Sequence, residues 1–553
     1  MSGTFLAELR AGRFRWGLVH PFPEQAEEDR ATGAAALADL LDLLAARVDA
    51  EAVEAAAELP DGIVAELTAR GYLSMTVPRE DGGLGFSPLT TFRLLAGAAG
   101  WCVPVGLVLS WHNVLGLGAY LPALPAGPLR DMLAKRLADG AVFGTADTEP
   151  GGAAASARRR TVAVPTGDGR GFLLTGEKCF IGNGSIADLL AVSATTVDDG
   201  DERIDLFVVD TGSQGFSVVA RHDFMGLRGS PNAALRLDRV FVPAEHVLVA
   251  TTGGWRASPL VARINARARM NITVAPSVAL ARRCLDWSRH FLARRSVDGR
   301  PLGEYDAIQR RLAASVADVY ALDCLVEWCL LGEHGEPEYM AAKNIGTVTS
   351  WRVIDRTMSL LGAEGYESAS SKARRGAPDL PLERAFRDVR AMLIAGGVDF
   401  NIDMRAGRYG ILPAYYAAGS ADSEPVEPVD PDAAALSPAN RRHLVFVRDQ
   451  VAAFAARCRE LTAAHPPAEL YERQEVLIAL SRLADELFTM SLVLARTAGP
   501  TAGSGAAQHV ADVYCAGART RIAGLWRDME TVHGADHAAV SRAWLAGDLA
   551  GLL

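Results

Sequence analysis

Several things are scarce in this chain of 553 residues, and each scarcity removes a class of function. Cysteine is sparse and unpaired: seven residues (Cys102, Cys179, Cys284, Cys324, Cys329, Cys458, Cys515) with no C-x-x-C string among them. An odd, scattered set argues against a disulfide framework or a thiolate zinc site and predicts reduced, mostly buried thiols. Positive charge is not in excess. The formal net charge is -10, so the chain lacks the basic face that a nucleic-acid backbone requires, and no such partner is expected. Long hydrophobic runs are missing too: the most apolar passage, Trp101 to Trp111, is far shorter than the ~20 residues of a spanning helix. Met1 to Arg15 holds no long apolar stretch of the kind a secretory leader needs. Together these absences predict a cytoplasmic enzyme or binding protein with no metal and no membrane segment. No internal repeat is present.

What is present is ordinary for a globular enzyme, with 49% hydrophobic and 22% charged residues, in a chain too long for one core. Apolar residues three and four apart mark helices from Ala34 to Leu137. Near Ala141 the pattern changes to short β-prone runs separated by Gly, Asp and Pro, ending at Val240-Phe241-Val242-Pro243. Helical periodicity returns at about Pro259. Gly419 to Ser437 carries five acidic residues, no basic ones and several prolines, and reads as a linker. Ser437-Pro438 then reads as an N-cap followed by proline at the first helical position. The expected division is an N-terminal arm (1–33), a helical domain (34–140), a middle β domain (141–252), a second helical bundle (253–415), the linker (416–437) and a C-terminal helical domain (438–553). A β domain between two helical blocks suggests a ligand cleft beside it.

Chemistry-bearing strings cluster in and around the β region. Thr148-Glu149-Pro150-Gly151-Gly152 offers a hydroxyl and a tight turn with exposed N–H groups. Gly176-Glu177-Lys178-Cys179-Phe180-Ile181-Gly182-Asn183-Gly184, Met225-Gly226-Leu227-Arg228-Gly229-Ser230 and Val240-Phe241-Val242-Pro243 follow in order. This series resembles the acyl-CoA dehydrogenase family, which writes it T-E-P-G-x-G-S-D, G-E-K-x-W-I-T-N-G, M-G-x-R-x-S and V-x-V-P. The resemblance extends to Arg295-Ser296-Val297-Asp298-Gly299-Arg300-Pro301-Leu302 with Ala307-Ile308-Gln309, to Leu361-Gly362-Ala363-Glu364-Gly365-Tyr366, and to Glu383 through Arg390 with its R-D-x-R. Phe5-Leu6, the Gly12–Trp16 and His20–Pro23 strings, Leu109-Ser110-Trp111-His112 and the C-terminal appendix resemble the very-long-chain subgroup.

The resemblance implies an α-bundle, β-barrel, α-bundle fold with an added C-terminal helical domain. It also implies FAD as cofactor and oxidation of an acyl thioester on coenzyme A or a carrier protein. Carried over position by position, the flavin candidates are Thr148, Phe180, Ile181 and Arg295, with main-chain help from Asp147 and Gly182, and with Gly362 at the adenine end. Arg295 would serve a neighbour's flavin, which implies a homodimer or tetramer. Arg267 or Arg269 is the candidate for a pantetheine or phosphate contact. The amphipathic stretch Leu470–Arg496 is expected to pack on the enzyme body or a dimer partner.

Several family positions differ. W-I-T is Phe180-Ile181-Gly182, the polar G-S-D is Ala153-Ala154-Ala155, the F-G phenylalanine is Asp298, and the glutamine before A-I-Q is Asp306. Counting from Arg387 puts Gly396 where many members carry the catalytic glutamate, and the alternative stretch Arg263–Met270 contains no acid. Loss of a positioned base costs roughly 10²–10⁴ in rate. His112, Glu364 and Asp399 are candidate substitutes, each read more readily as an ordinary structural position, so the catalytic group stays open. Three functions therefore stand: a flavin-dependent acyl-thioester oxidoreductase with a relocated base; a flavoprotein of the same fold performing oxygenation, ring closure or elimination; and a binding scaffold.

Overall fold

The computed structural model describes residues 3–151, 159–198, 201–249, 259–417, 435–499, 505–531 and 536–552. Ala153, Ala154 and Ala155 and almost all of the acidic segment lie outside the described residues. Contacts divide the chain into two compact units, Pro23–Val398 and a second made of Met1–Phe22 with Asp399–Leu553.

The first unit opens with helices. Pro88–Trp101 begins where the Ser87 hydroxyl accepts the Thr90 N–H at 3.1 Å, with Pro88 at the first position, and it buries Leu89, Phe92, Leu94 and Leu95. Val103–Ser110 follows, and its last turn opens into a π-helical segment, Trp111–Leu115. A second π-helical segment, Met270–Val274, interrupts the helices Pro259–Arg269 and Ala275–Leu292. Such bulges sit at functional sites more often than elsewhere in helices.

Between these helical blocks run eight strands: β1 (Phe143–Ala146), β2 (Val162–Pro165), β3 (Gly171–Ile181), β4 (Leu189–Asp198), β5 (Asp201–Asp210), β6 (Phe216–Arg221), β7 (Ala233–Pro243) and β8 (Val247–Val249). They form one sheet in the order β6-β7-β3-β2-β4-β5-β8, with β1 parallel to β4. Period-two alternation buries both faces. Leu190, Val192, Phe207 and Val209 enter one core, while Leu189, Ala191, Leu206 and Val208 enter another with Leu117, Tyr120 and Phe143. Gly176-Glu177-Lys178 does not break β3 as its composition suggests. The strand runs through it with register shifts against β7 on both sides, and a Cβ on Gly176 would lie 2.6 Å from Thr161 Cα, so glycine lets the segment entering β2 approach.

The second bundle packs Ala275–Leu292, Asp306–Leu331, Glu336–Leu361 and Leu382–Met392. Its last helix grips the β6–β7 loop. Arg387 donates to the Met225 carbonyl at 2.8 Å, and the Leu227 N–H donates to the Asp388 carboxylate at 2.6 Å. Burial pushes Asp388 up to about 7 against that hydrogen bond. Arg387 also pairs with Glu54 at 2.8 Å, and Arg228 donates to the Glu54 carbonyl at 2.9 Å, so the first bundle joins the same junction.

In the second unit the sequence division is redrawn. Helix Asp399–Arg405, expected in the second bundle, packs on Gln474–Ala498 instead, as does the arm helix Phe5–Arg10. Phe5, Leu6 and Leu9 are buried, with the Phe5 ring 6.2 Å from that of Phe488. Ser437 caps Pro438–Ala464 as its sequence predicts, accepting the Asn440 N–H at 3.2 Å. Of the stretch Leu470–Arg496, Leu470 ends the short helix Pro467–Leu470 and the rest from Gln474 lies in Gln474–Ala498, most of whose residues are buried. All seven cysteines are free and buried. No helix among the described residues is long and apolar enough to cross a membrane.

Gly226 is where two backbones meet: its Cβ would lie 2.6 Å from the carbonyl carbon of Arg387. Gly226→Ala is expected to lower stability by about 1–3 kcal/mol, measured by denaturant unfolding, because neither backbone can yield as a side chain would. Unchanged stability would refute this account of the junction.

Candidate functional site

The turn after β1 is held by a buried polar network. Lys178 is fully buried on β3; its ammonium donates to Glu149 at 2.8 Å, to the Asp147 carbonyl at 3.3 Å and to the Ser193 hydroxyl at 3.3 Å. Glu149 also accepts the N–H groups of Arg160 and Thr161 at 2.6 and 3.0 Å. Burial alone would raise its carboxyl; the bonds from Lys178 and Thr161 overcome this and hold it down at about 2. Burial lowers Lys178 from its usual range, opposed by Glu149. The two directions pull oppositely on the pair, and the three donors around Glu149 favour the ionised form. Asp147 accepts from Arg159 at 2.8 Å and from Ser193 at 2.6 Å, so its carboxylate is engaged within the protein. Thr148, whose carbonyl accepts the Cys179 N–H at 3.0 Å, keeps a half-buried side chain.

That bond leads to the end of β3. Phe180 is 59% exposed and adopts a left-handed backbone, φ +59°, that a non-glycine residue adopts at a cost of roughly 1–3 kcal/mol. His222, which sequence reasoning missed, holds it: the ring stacks on Phe180 at 4.7 Å and Nε2 accepts the Phe180 N–H at 3.1 Å. Burial lowers His222, in keeping with a neutral acceptor ring. The Ile181 side chain lies in the sheet core, which leaves its main chain for a ligand. At Gly182 a Cβ would lie 2.3 Å from the Trp111 indole. No sequence signal linked these two positions.

In the second bundle the predicted residues form two further clusters. Arg295 is half exposed, lies over the Phe291 ring at 5.2 Å and sits 3.6 Å from Glu364. Arg294 also bonds Glu364, and that bond, with both guanidinium charges, holds the carboxyl below its usual range. Glu364 is thus an arginine ligand and not a poised base. Gly362, φ +58°, ends Glu336–Leu361 with no atom within 4 Å of where a Cβ would be. Arg269 donates to the Gly396 carbonyl at 2.9 Å, so the two positions at which the family resemblance places a base lie side by side. Lys343 fixes the same loop through the carbonyls of Leu393 and Gly397 at 3.1 and 2.7 Å. Arg267 is exposed and hydrogen-bonds Tyr339. His112 is a core residue: it stacks on Phe143 at 5.1 Å, and its Nδ1 accepts the Phe143 N–H at 2.9 Å. Burial drives it down to about 3, too low for a base. Asp399 groups with the other compact unit.

Three family models match in chain order: the acyl-CoA dehydrogenase N-terminal domain at residues 32–123, the middle domain at 144–240 and the C-terminal domain at 262–402. A probable acyl-CoA dehydrogenase of Mycobacterium tuberculosis, FadE10, is 31% identical over 75% of this chain and 64% of its own length. The bovine mitochondrial very long-chain specific acyl-CoA dehydrogenase is 25% identical over 72% of this chain and 60% of its own. The chain thus spans less than two thirds of these relatives. The crystal structure of an acyl-CoA dehydrogenase complexed with FAD from Bacillus anthracis superposes with a TM-score of 0.73 at 19% identity, over 97% of this chain and 94% of that one, a likeness of fold.

Removing one partner from the Lys178 pair strands a buried charge, at a cost of about 3–5 kcal/mol. Glu149→Gln should show that loss at neutral pH. The carboxyl is depressed from 4.5 to about 2, so the wild type's advantage is complete above 4.5 and disappears as pH falls towards 2. Chemical denaturation across that range checks it; a gap independent of pH would mean that Glu149 is not ionised in the fold.

Proposed function

Since the chain belongs to the acyl-CoA dehydrogenase family, we propose that it is an FAD-dependent oxidoreductase acting on an acyl thioester, carried on coenzyme A or on a carrier protein. The observation that carries this reading is Phe180, an exposed aromatic held in a strained backbone by His222 beside a turn fixed through Lys178. Strain retained at an exposed ring points to a ligand that uses it.

The residues present fit a flavin. The Thr148 hydroxyl and the main chain of Ile181 and Gly182 supply hydrogen-bonding groups, the Phe180 ring supplies an apolar face, and the open backbone at Gly362 admits close approach. Bound there, FAD supplies a hydride acceptor. Arg295 lies on a helix end with half of its side chain exposed, which suits a contact to a neighbouring subunit's cofactor in a homodimer or tetramer. Arg267, also exposed, suits a phosphate or pantetheine contact.

A second reading has specific support: the same fold performing oxygenation, ring closure or elimination, for which no carboxylate need stand over the cofactor. Gly396 has no side chain, Arg269 lies against it, Glu364 is tied to two arginines, and His112 is buried and neutral.

Anaerobic mixing of the FAD-loaded protein with acyl-CoA and acyl-carrier-protein panels separates the readings. Flavin bleaching by any acyl thioester supports the oxidoreductase, at rates about 10²–10⁴ below a base-equipped enzyme. No bleaching, with oxygen uptake when a flavin reductase is supplied, favours the second. Gly396→Glu is expected to raise the bleaching rate at least tenfold. At φ +69° it should cost about 1–3 kcal/mol of stability, and the Cβ contact at 3.1 Å falls on the flexible Arg269 side chain. An unchanged rate would count against the register placed on this loop.

A further inference from the structure

We propose that Trp111 is a positioning residue of the cofactor cradle, its indole standing in for the side chain that residue 182 lacks; this rests on the flavin reading above. The family resemblance puts a threonine at this position, and here it is glycine. A Cβ on Gly182 would lie 2.3, 2.4 and 2.6 Å from Cδ2, Cε2 and Cγ of Trp111, so no L side chain fits while the indole is there. The indole thus occupies the space a side chain on Gly182 would take, and an aromatic face from the first bundle stands where polar reach from the strand would otherwise be.

The surroundings fix that face. His112 is tied to the Phe143 N–H, and Asn113 accepts the Met75 N–H at 2.8 Å while donating to the carbonyls of Tyr72 and Leu109 at 2.8 and 3.0 Å. From the strand side, Asn183 donates to the carbonyls of Val108 and Phe143 at 3.2 and 3.1 Å. Trp111 is the first residue of the π-helical segment, and within Ser110–Val114 it alone keeps part of its surface open. A ring lying along Phe180–Gly182 would therefore meet the indole there.

A tryptophan that merely filled the core would not alter the emission of a bound flavin; an indole in contact quenches it. The apo-protein and variants are titrated with FAD, following binding and time-resolved flavin emission. The wild type is expected to quench. Trp111→Phe should lengthen the emission lifetime and weaken binding by about tenfold. Gly182→Thr should lose FAD binding or folding, and Trp111→Val with Gly182→Thr should recover both, as a coupled pair requires. Wild-type emission and affinity in Trp111→Phe, or a double variant no better than Gly182→Thr, overturns the proposal. A wild type that takes up no FAD at all removes the flavin reading itself.

Discussion

A fully buried ammonium stays in a folded protein only if the atoms around it replace water. Lys178 meets that condition through Glu149, a main-chain carbonyl and Ser193, and the requirement orders everything near it. The acceptors come from the turn after β1 and from β4, while the donor comes from β3, so three segments must be in register before the charge is satisfied. Such pairs add little net stability over an apolar core but penalise misplacement severely. The Thr148 turn and the strained Phe180 are held within one network, where a sub-ångström shift would leave a charge unmatched.

Much of the fold was legible in the sequence because its strings have local causes. Ser437-Pro438 caps a helix with its own atoms, and the alternation along β4 and β5 records two buried faces. The long-range partners were not legible. Met225-Gly226-Leu227 and Arg387-Asp388 are each recognisable strings, yet nothing in either reveals that one clasps the other. Trp111 with Gly182 and His222 with Phe180 are of the same kind, because a missing Cβ or an accepted N–H acquires meaning only from a partner distant in the chain. Ile181 and Asp147 show the reverse, positions singled out from the sequence whose side chains prove to be engaged within the protein.

The absent base was readable as a count along the sequence, but its neighbourhood was not. The structure sets Gly396 against Arg269, so both positions open to a carboxylate by family resemblance converge on one place and neither holds an acid. Lys343 and Arg269 bind the carbonyls of that loop, leaving a main-chain feature clamped by cations where a reactive side chain would otherwise stand. Three substitute candidates had been open. Two of them, Glu364 and His112, have clear structural occupations, one as a ligand for two arginines and one inside the core.

The arm helix at Phe5–Arg10 has its own implication for biogenesis. Its apolar residues are buried, and the helix packs on Gln474–Ala498 and on the π-helical segment Ala406–Ile411. On the ribosome these residues emerge well before their cover, and at roughly 5–20 residues per second the delay is tens of seconds. During that interval Phe5, Leu6 and Leu9 are an uncovered apolar patch on a nascent chain whose Pro23–Val398 unit is complete before that cover. Synthesis of Gln474–Ala498 is therefore what retires that patch, which makes termination ahead of this helix a direct route to a sticky, uncovered species.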